Sequence, residues 1–165
     1  MVEYNFSDKS SVKTLLEMHV KILKILRQRE IIRSTNNPTG DLAEYLFSKA
    51  FGWELADNST KGFDALDDEG TRFQIKGRRI HSLGKSRRLG AMRELEEKPF
   101  DQLAAIIFDE DYSIIQAALF PWEYVLDKSS EIKRSNSYRF VFHAKYMNDS
   151  AVEDVTEKIR GVLLT

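Results

Sequence analysis

Arg72-Phe73-Gln74-Ile75-Lys76 places an amide and an ammonium two positions apart, and Asp64 lies upstream on what reads as the preceding strand. Alternate residues of a strand share a face. Gln74 and Lys76 therefore point one way with Arg72, while Phe73 and Ile75 point the other way, toward a core. An Asp64 carboxylate and a Gln74 amide oxygen are hard donors of the kind that Mg2+ or Mn2+ accepts. Main-chain carbonyls such as that of Ile75, phosphate oxygens and water can complete an octahedral shell. An ion so held polarises a phosphodiester and acidifies an attacking water. Lys76 would supply positive charge where negative charge builds on phosphorus, or hold the water if its own pKa were depressed. The plain alternative is a structural Asp64–Lys76 ion pair with Gln74 as a bystander.

Turn chemistry decides whether these groups meet. A three-residue loop of Asp68, Glu69 and Gly70 puts glycine where a left-handed backbone is needed. Asp67 then pairs with Thr71, which sets Asp64 opposite Gln74 and Gly62 opposite Lys76. Directly paired residues hold their Cβ atoms about 5 Å apart. A two-residue loop would pair Asp64 with Phe73 and scatter the cluster.

The elements that must position this hairpin follow from periodicity. Val12, Leu15, Leu16, His19, Leu23 and Leu26 recur at helical spacing within a segment running from about Ser7 to Arg33. Met18, Val20, Ile22 and Ile25 widen its apolar surface beyond one stripe, which suits packing on two sides, within the fold or against a second subunit. Arg27, Arg29 and Arg33 suit the negative end of its dipole. Residues 1–36 thus read as a long N-terminal helix and its exit, used for packing or dimerisation. A break at residues 34–38 leads to a second helix from Thr39 to about Phe51, ended by Gly52. Strand candidates follow at Trp53–Ala56, Phe63–Asp67, Thr71–Arg79, Leu103–Phe108, Ser113–Leu119 and Tyr138–His143. A closing helix is expected from Asp149 to Leu163. Residues 81–99 read either as loop or as short helix. Two helices, a meander of strands and a helix predict one α/β domain, residues 1–165, with a central mixed sheet flanked by helices.

Composition narrows the function classes. At 165 residues and 42% apolar content the chain can bury a core. With no cysteine, disulfides, thiolate metal sites and cysteine nucleophiles are excluded. No apolar run approaches a membrane span and the N-terminus lacks a signal-peptide pattern, so a cytoplasmic protein without membrane contact is expected. The three histidines stand apart from one another, which does not suggest a ligand set. Net charge is only −1, yet Thr71 to Arg93 contains eight Lys or Arg and no acid. A local basic stretch can hold a polyanion in a neutral protein because screening confines each patch to about 10 Å. Arg72, Arg78, Arg79, Lys85, Arg87 and Arg88, with Lys61 beside Gly62, are the candidate nucleic-acid contacts. Arg78 shares the Lys76 face if alternation survives Gly77. The bland reading is a solvated basic loop.

Gly62-Phe63-Asp64-Ala65 followed by Phe73-Gln74-Ile75-Lys76-Gly77-Arg78 resembles the active site of the PD-(D/E)XK nuclease superfamily, the restriction-endonuclease-like proteins. The likeness covers about Asn37 to Leu119. It implies that Asp64, Gln74 and Lys76 are catalytic, and that Glu44 on the preceding helix joins Asp64, Gln74 and the Ile75 carbonyl around Mg2+ or Mn2+. Gln74 departs from the usual acid and is similar to the Q-X-K form of Mrr-type endonucleases. The fold implied is a restriction-endonuclease-like core. The activity implied is hydrolysis of phosphodiester bonds, with double-stranded DNA as partner and a homodimer to cut both strands. The rival readings are a nuclease-fold protein that binds nucleic acid without turnover and a non-catalytic interaction subunit. Glu44 itself reads alternatively as an ordinary exposed glutamate.

Overall fold

The computed structural model describes residues 7, 9–57, 59–81 and 86–163. In chain order the elements are α1 (Val12–Gln28), α2 (Thr39–Phe51), β1 (Glu54–Leu55), β2 (Ala65–Leu66), β3 (Arg72–Arg79), β4 (Met92–Arg93), β5 (Gln102–Phe108), β6 (Ile114–Pro121), α3 (Trp122–Lys128), β7 (Ser130–Ile132), β8 (Ser137–Arg139), β9 (Glu153–Asp154) and α4 (Thr156–Leu163). Six strands form one sheet in the order β1-β2-β3-β5-β6-β9, and β4-β8-β7 form a second. In the large sheet β3 and β5 run parallel and every other neighbouring pair is antiparallel. The chain is α/β with a mixed central sheet, as its pattern predicts.

The alternation of β3 and β5 builds two apolar layers. On one side Phe73 and Ile75 of β3 with Ala104 and Ile106 of β5 meet Ala43, Leu46 and Phe47 of α2 and Ile159 of α4. On the other side Leu103, Ala105 and Ile107 meet Met92, Leu95, Phe100, Phe140 and Phe142, which belong to the crossover and the small sheet. β5 is apolar at every position after Gln102 because both its faces are covered. An aromatic stack locks α2 to the hairpin: Trp53 lies 3.7 Å from Phe73 and 5.8 Å from Phe47, ring centre to ring centre. Gly77 permits this packing. A Cβ there would lie 2.8 Å from the Thr39 carbonyl oxygen and 3.0 Å from Ala43 Cβ, so only glycine lets α2 settle on β3.

Several boundaries differ from the sequence pattern. α1 spans Val12–Gln28, capped by Ser11 Oγ on the Thr14 N–H at 3.1 Å, not Ser7 to Arg33. Its chain turns after Arg29 and carries Ile32 into the body. The expected closing helix begins only at Thr156. Asp154 Oδ1 accepts the Thr156 N–H at 2.9 Å and the Val155 N–H reaches the Ala117 carbonyl, so residues 153–154 form an edge strand on β6 instead. The Tyr138–His143 stretch contributes β8 to the small sheet rather than to the large one. Residues 81–99 include the β4 strand and a 3-10 turn at Leu95–Glu97. Among the described residues no helix is long and apolar enough to cross a membrane.

Candidate active site

The hairpin takes the three-residue loop. Ala65 pairs with Phe73 and Leu66 with Arg72, the register that a three-residue loop requires. Gly70 has φ +80°, and Asp67 Oδ1 accepts the N–H groups of Glu69 and Thr71. β2 begins at Ala65, and Asp64 just before it still donates its main-chain N–H to the Phe73 carbonyl at 2.7 Å. Its main-chain carbonyl accepts the Ala56 N–H at 2.9 Å, and its carboxylate Oδ2 takes the Ile75 N–H at 2.6 Å. The same Oδ2 accepts a hydrogen bond from Gln74 Nε2. The Asp64 side chain thus replaces a strand: it satisfies the donor that β2 is too short to reach.

The acid and the amide are therefore in contact. Lys76 is the next residue on the Gln74 face, since β3 pairs with β5 in unbroken register from Phe73 to Arg79. It is half-buried, and its stem runs past Gly90, where an added Cβ would come 3.9 Å from Lys76 Cδ. Among the described residues its ammonium has no hydrogen-bond or ion-pair partner. No Asp64–Lys76 salt bridge forms, so that alternative for the pair does not hold.

Glu44 is not an ordinary exposed glutamate. Its carboxylate pairs with Arg33, and the Glu44 side chain is only 18% exposed. Arg33 also donates to the Ala56 carbonyl at 2.8 Å. Burial holds the Glu44 carboxyl above its usual range. The bond and charge of Arg33 oppose that rise, while the negative charges of Asp64 and Asp41 add to it. Glu44, Asp64, Arg33, Asp41 and Asp57 share a cavity of about 270 Å³. Helical spacing groups Glu44 with Phe47 and sets Leu46 opposite. In the fold both Leu46 and Phe47 are buried, because the sheet covers a wider arc of α2 than one stripe, and Glu44 sits at the rim of that arc.

The basic residues divide. Arg72 forks onto Asp101, with Nε to Oδ2 and Nη2 to Oδ1 both at 3.0 Å. Arg79 lies 4.9 Å over the Tyr112 ring, and Arg87 donates to Gln116. Lys61, Arg78 and Arg88 are exposed. Arg78 and Arg79 line a second cavity of about 260 Å³ with Asn37, Thr39, Gly77 and His81. Lys85 lies outside the described residues.

Two residues of the acidic cavity carry no sequence signal. Arg33 fits the C-terminal dipole of a longer helix but works on Glu44, across the turn between α1 and α2. Asp41 accepts the N–H groups of Arg33 (3.0 Å) and Ser34 (2.7 Å), which ties that turn to α2. Only the absence of a helix beyond Gln28 would have freed Arg33 for this role. Compared with known proteins, the chain matches no family model and no curated sequence.

Proposed function

We propose that the chain is a metal-dependent nuclease with a restriction-endonuclease-like core, acting on double-stranded DNA in the cytoplasm. The observation that carries this reading is the contact of Asp64 and Gln74 at the Ile75 amide, with Lys76, which has no partner among the described residues, next on the same face. Glu44 in the adjoining cavity supports it. The donor set suits Mg2+ or Mn2+: Asp64 and Glu44 carboxylates, the Ile75 carbonyl and the Gln74 amide oxygen are all hard ligands. Among the described residues Asp64 Oδ1 has no hydrogen-bond partner. Gln74 turns its nitrogen toward Asp64, and half a turn of its terminal amide would offer the oxygen instead. When bound, such an ion would polarise the phosphate and acidify its water.

In this reading Asp64 is oriented by the Ile75 N–H. Lys76 offsets the charge that grows on the phosphate oxygens as water attacks. Arg33 balances Glu44 in the absence of substrate. Exposed Arg78, Arg88 and Lys61 hold the backbone, and a second copy provides the second site for the opposite strand.

The test is cleavage of supercoiled plasmid with Mg2+ or Mn2+. Wild type nicks or linearises it, and Lys76→Ala loses about 100-fold or more, the scale of one lost transition-state donor. Equal cleavage by Lys76→Ala would defeat the assignment.

A second reading has its own support. Gln74 is uncharged, Asp64 Oδ2 already accepts two internal hydrogen bonds and Glu44 is paired to Arg33, so the groups that would hold a cation are engaged within the protein. A nuclease-fold protein that binds nucleic acid without cutting it would show this. It would bind DNA with steep salt dependence, unchanged by Asp64→Ala, and leave plasmid intact.

A further inference from the structure

We infer that α1 is a self-association helix, two copies pairing antiparallel across a two-fold axis that passes beside His19. This inference does not depend on the nuclease reading. None of the residues of α1 is buried. Among the described residues, all six large apolar side chains that remain exposed lie on this helix: Val12, Leu15, Leu16, Val20, Ile22 and Ile25. Val12, Leu16 and Val20 are 74%, 60% and 64% exposed. The patch amounts to on the order of 500 Å², near the upper end for a monomer's largest apolar patch. Two copies joined through it would hide about 1,000 Å², the threshold for a specific interface.

A helix of 17 residues is also marginal in water without tertiary or quaternary packing. The Lys13–Glu17 pair of α1, at 3.8 Å, gives little help, since both side chains are highly exposed.

The pattern selects a second copy as the occupant. An isologous interface needs a patch that complements itself. Counting outward from His19, three apolar pairs match on the face that His19 shares: Val12 with Leu26, Leu15 with Leu23, and Leu16 with Ile22. An antiparallel pair centred on His19 therefore sets apolar on apolar along the face that His19 shares. The same positions Val12, Leu15, His19, Ile22 and Leu26 follow the alternating three-and-four spacing of a helix–helix seam.

The experiment uses the full chain. Sedimentation velocity should show a dimer at micromolar concentration, and the double variant Leu16→Glu with Ile22→Glu should be monomeric while its near-UV circular dichroism stays that of the folded body, since both side chains are more than half exposed in the single chain. The chain has no cysteine, so single cysteines report register cleanly. His19→Cys should oxidise to a covalent dimer. Val12→Cys should not, because its two copies would stand about 20 Å apart in this register. A monomer at every concentration would overturn the inference, whether α1 then proves to bind an anionic vesicle or another protein. Cross-linking of Val12→Cys as readily as of His19→Cys would overturn the antiparallel register.

Discussion

Asp64 and Gln74 face each other across the hairpin and share a hydrogen bond, with Oδ2 of Asp64 also capping the Ile75 N–H at 2.6 Å. A carboxylate that stands in for a strand partner is held in place by a backbone N–H as well as by the Gln74 side chain. Substitutions around it should therefore separate its chemistry from its structural work.

Gln74→Glu tests the electrostatics of the pair. It removes the amide donor and sets two carboxylates together, which disfavours ionisation of both. In the absence of metal the variant should unfold at a lower temperature than wild type, and millimolar Mg2+ should restore more stability to it than to wild type. Calorimetry with and without Mg2+ reads both effects. A variant as stable as wild type in metal-free buffer would show that the two side chains do not interact.

Arg33→Gln should cost about 1–3 kcal/mol at neutral pH, because it leaves a half-buried carboxylate without its partner. The sign with pH is definite. Burial raises the folded pKa of Glu44 from its ordinary 4.5, and Arg33 opposes that rise. Without Arg33 it rises further. A carboxyl with a raised folded pKa contributes its stability fully below its unfolded value and loses it as pH climbs through the folded one. The loss in Arg33→Gln should therefore shrink on acidification toward pH 4. Urea unfolding at the two pH values measures it, and a loss independent of pH would assign Arg33 to the Ala56 carbonyl alone.

Asp101→Asn addresses the opposite case. The Arg72 fork holds the Asp101 carboxyl below its ordinary 3.8. A depressed carboxyl contributes stability above its unfolded pKa and loses it as pH falls through the folded value. The pair is about one-third exposed, so after screening the variant should lose about 1 kcal/mol at pH 7. The gap to wild type should close below pH 4, measured by thermal unfolding across that range.

Gly77→Ala should destabilise by about 1–3 kcal/mol, the scale of overpacking a closed interface. Its methyl would meet the Thr39 carbonyl at 2.8 Å and Ala43 at 3.0 Å, both fixed in α2. Denaturant unfolding measures the cost. Ala43→Gly in the same chain should recover part of it by vacating one of the two contacts.

Much of the site was readable one residue at a time. Alternation in Arg72–Lys76 separates polar from core positions, and the Asp68-Glu69-Gly70 loop carries the register, because only a left-handed glycine closes a hairpin of that length. The widened apolar surface of the first helix was equally plain, since it needs only counting. These are local properties, set by backbone sterics and by neighbours within a few positions.

The tertiary structure alone decided the rest. It shortened the first helix to Gln28, and so turned Arg33 from a dipole partner into the counter-ion of Glu44. It wrapped enough sheet around α2 to bury Leu46 and Phe47 together. It engaged Arg72 with Asp101 and drew residues 153–154 into an edge strand. Each outcome depends on groups distant in the chain competing for the same donor, acceptor or patch of surface, and no local periodicity encodes which of them wins.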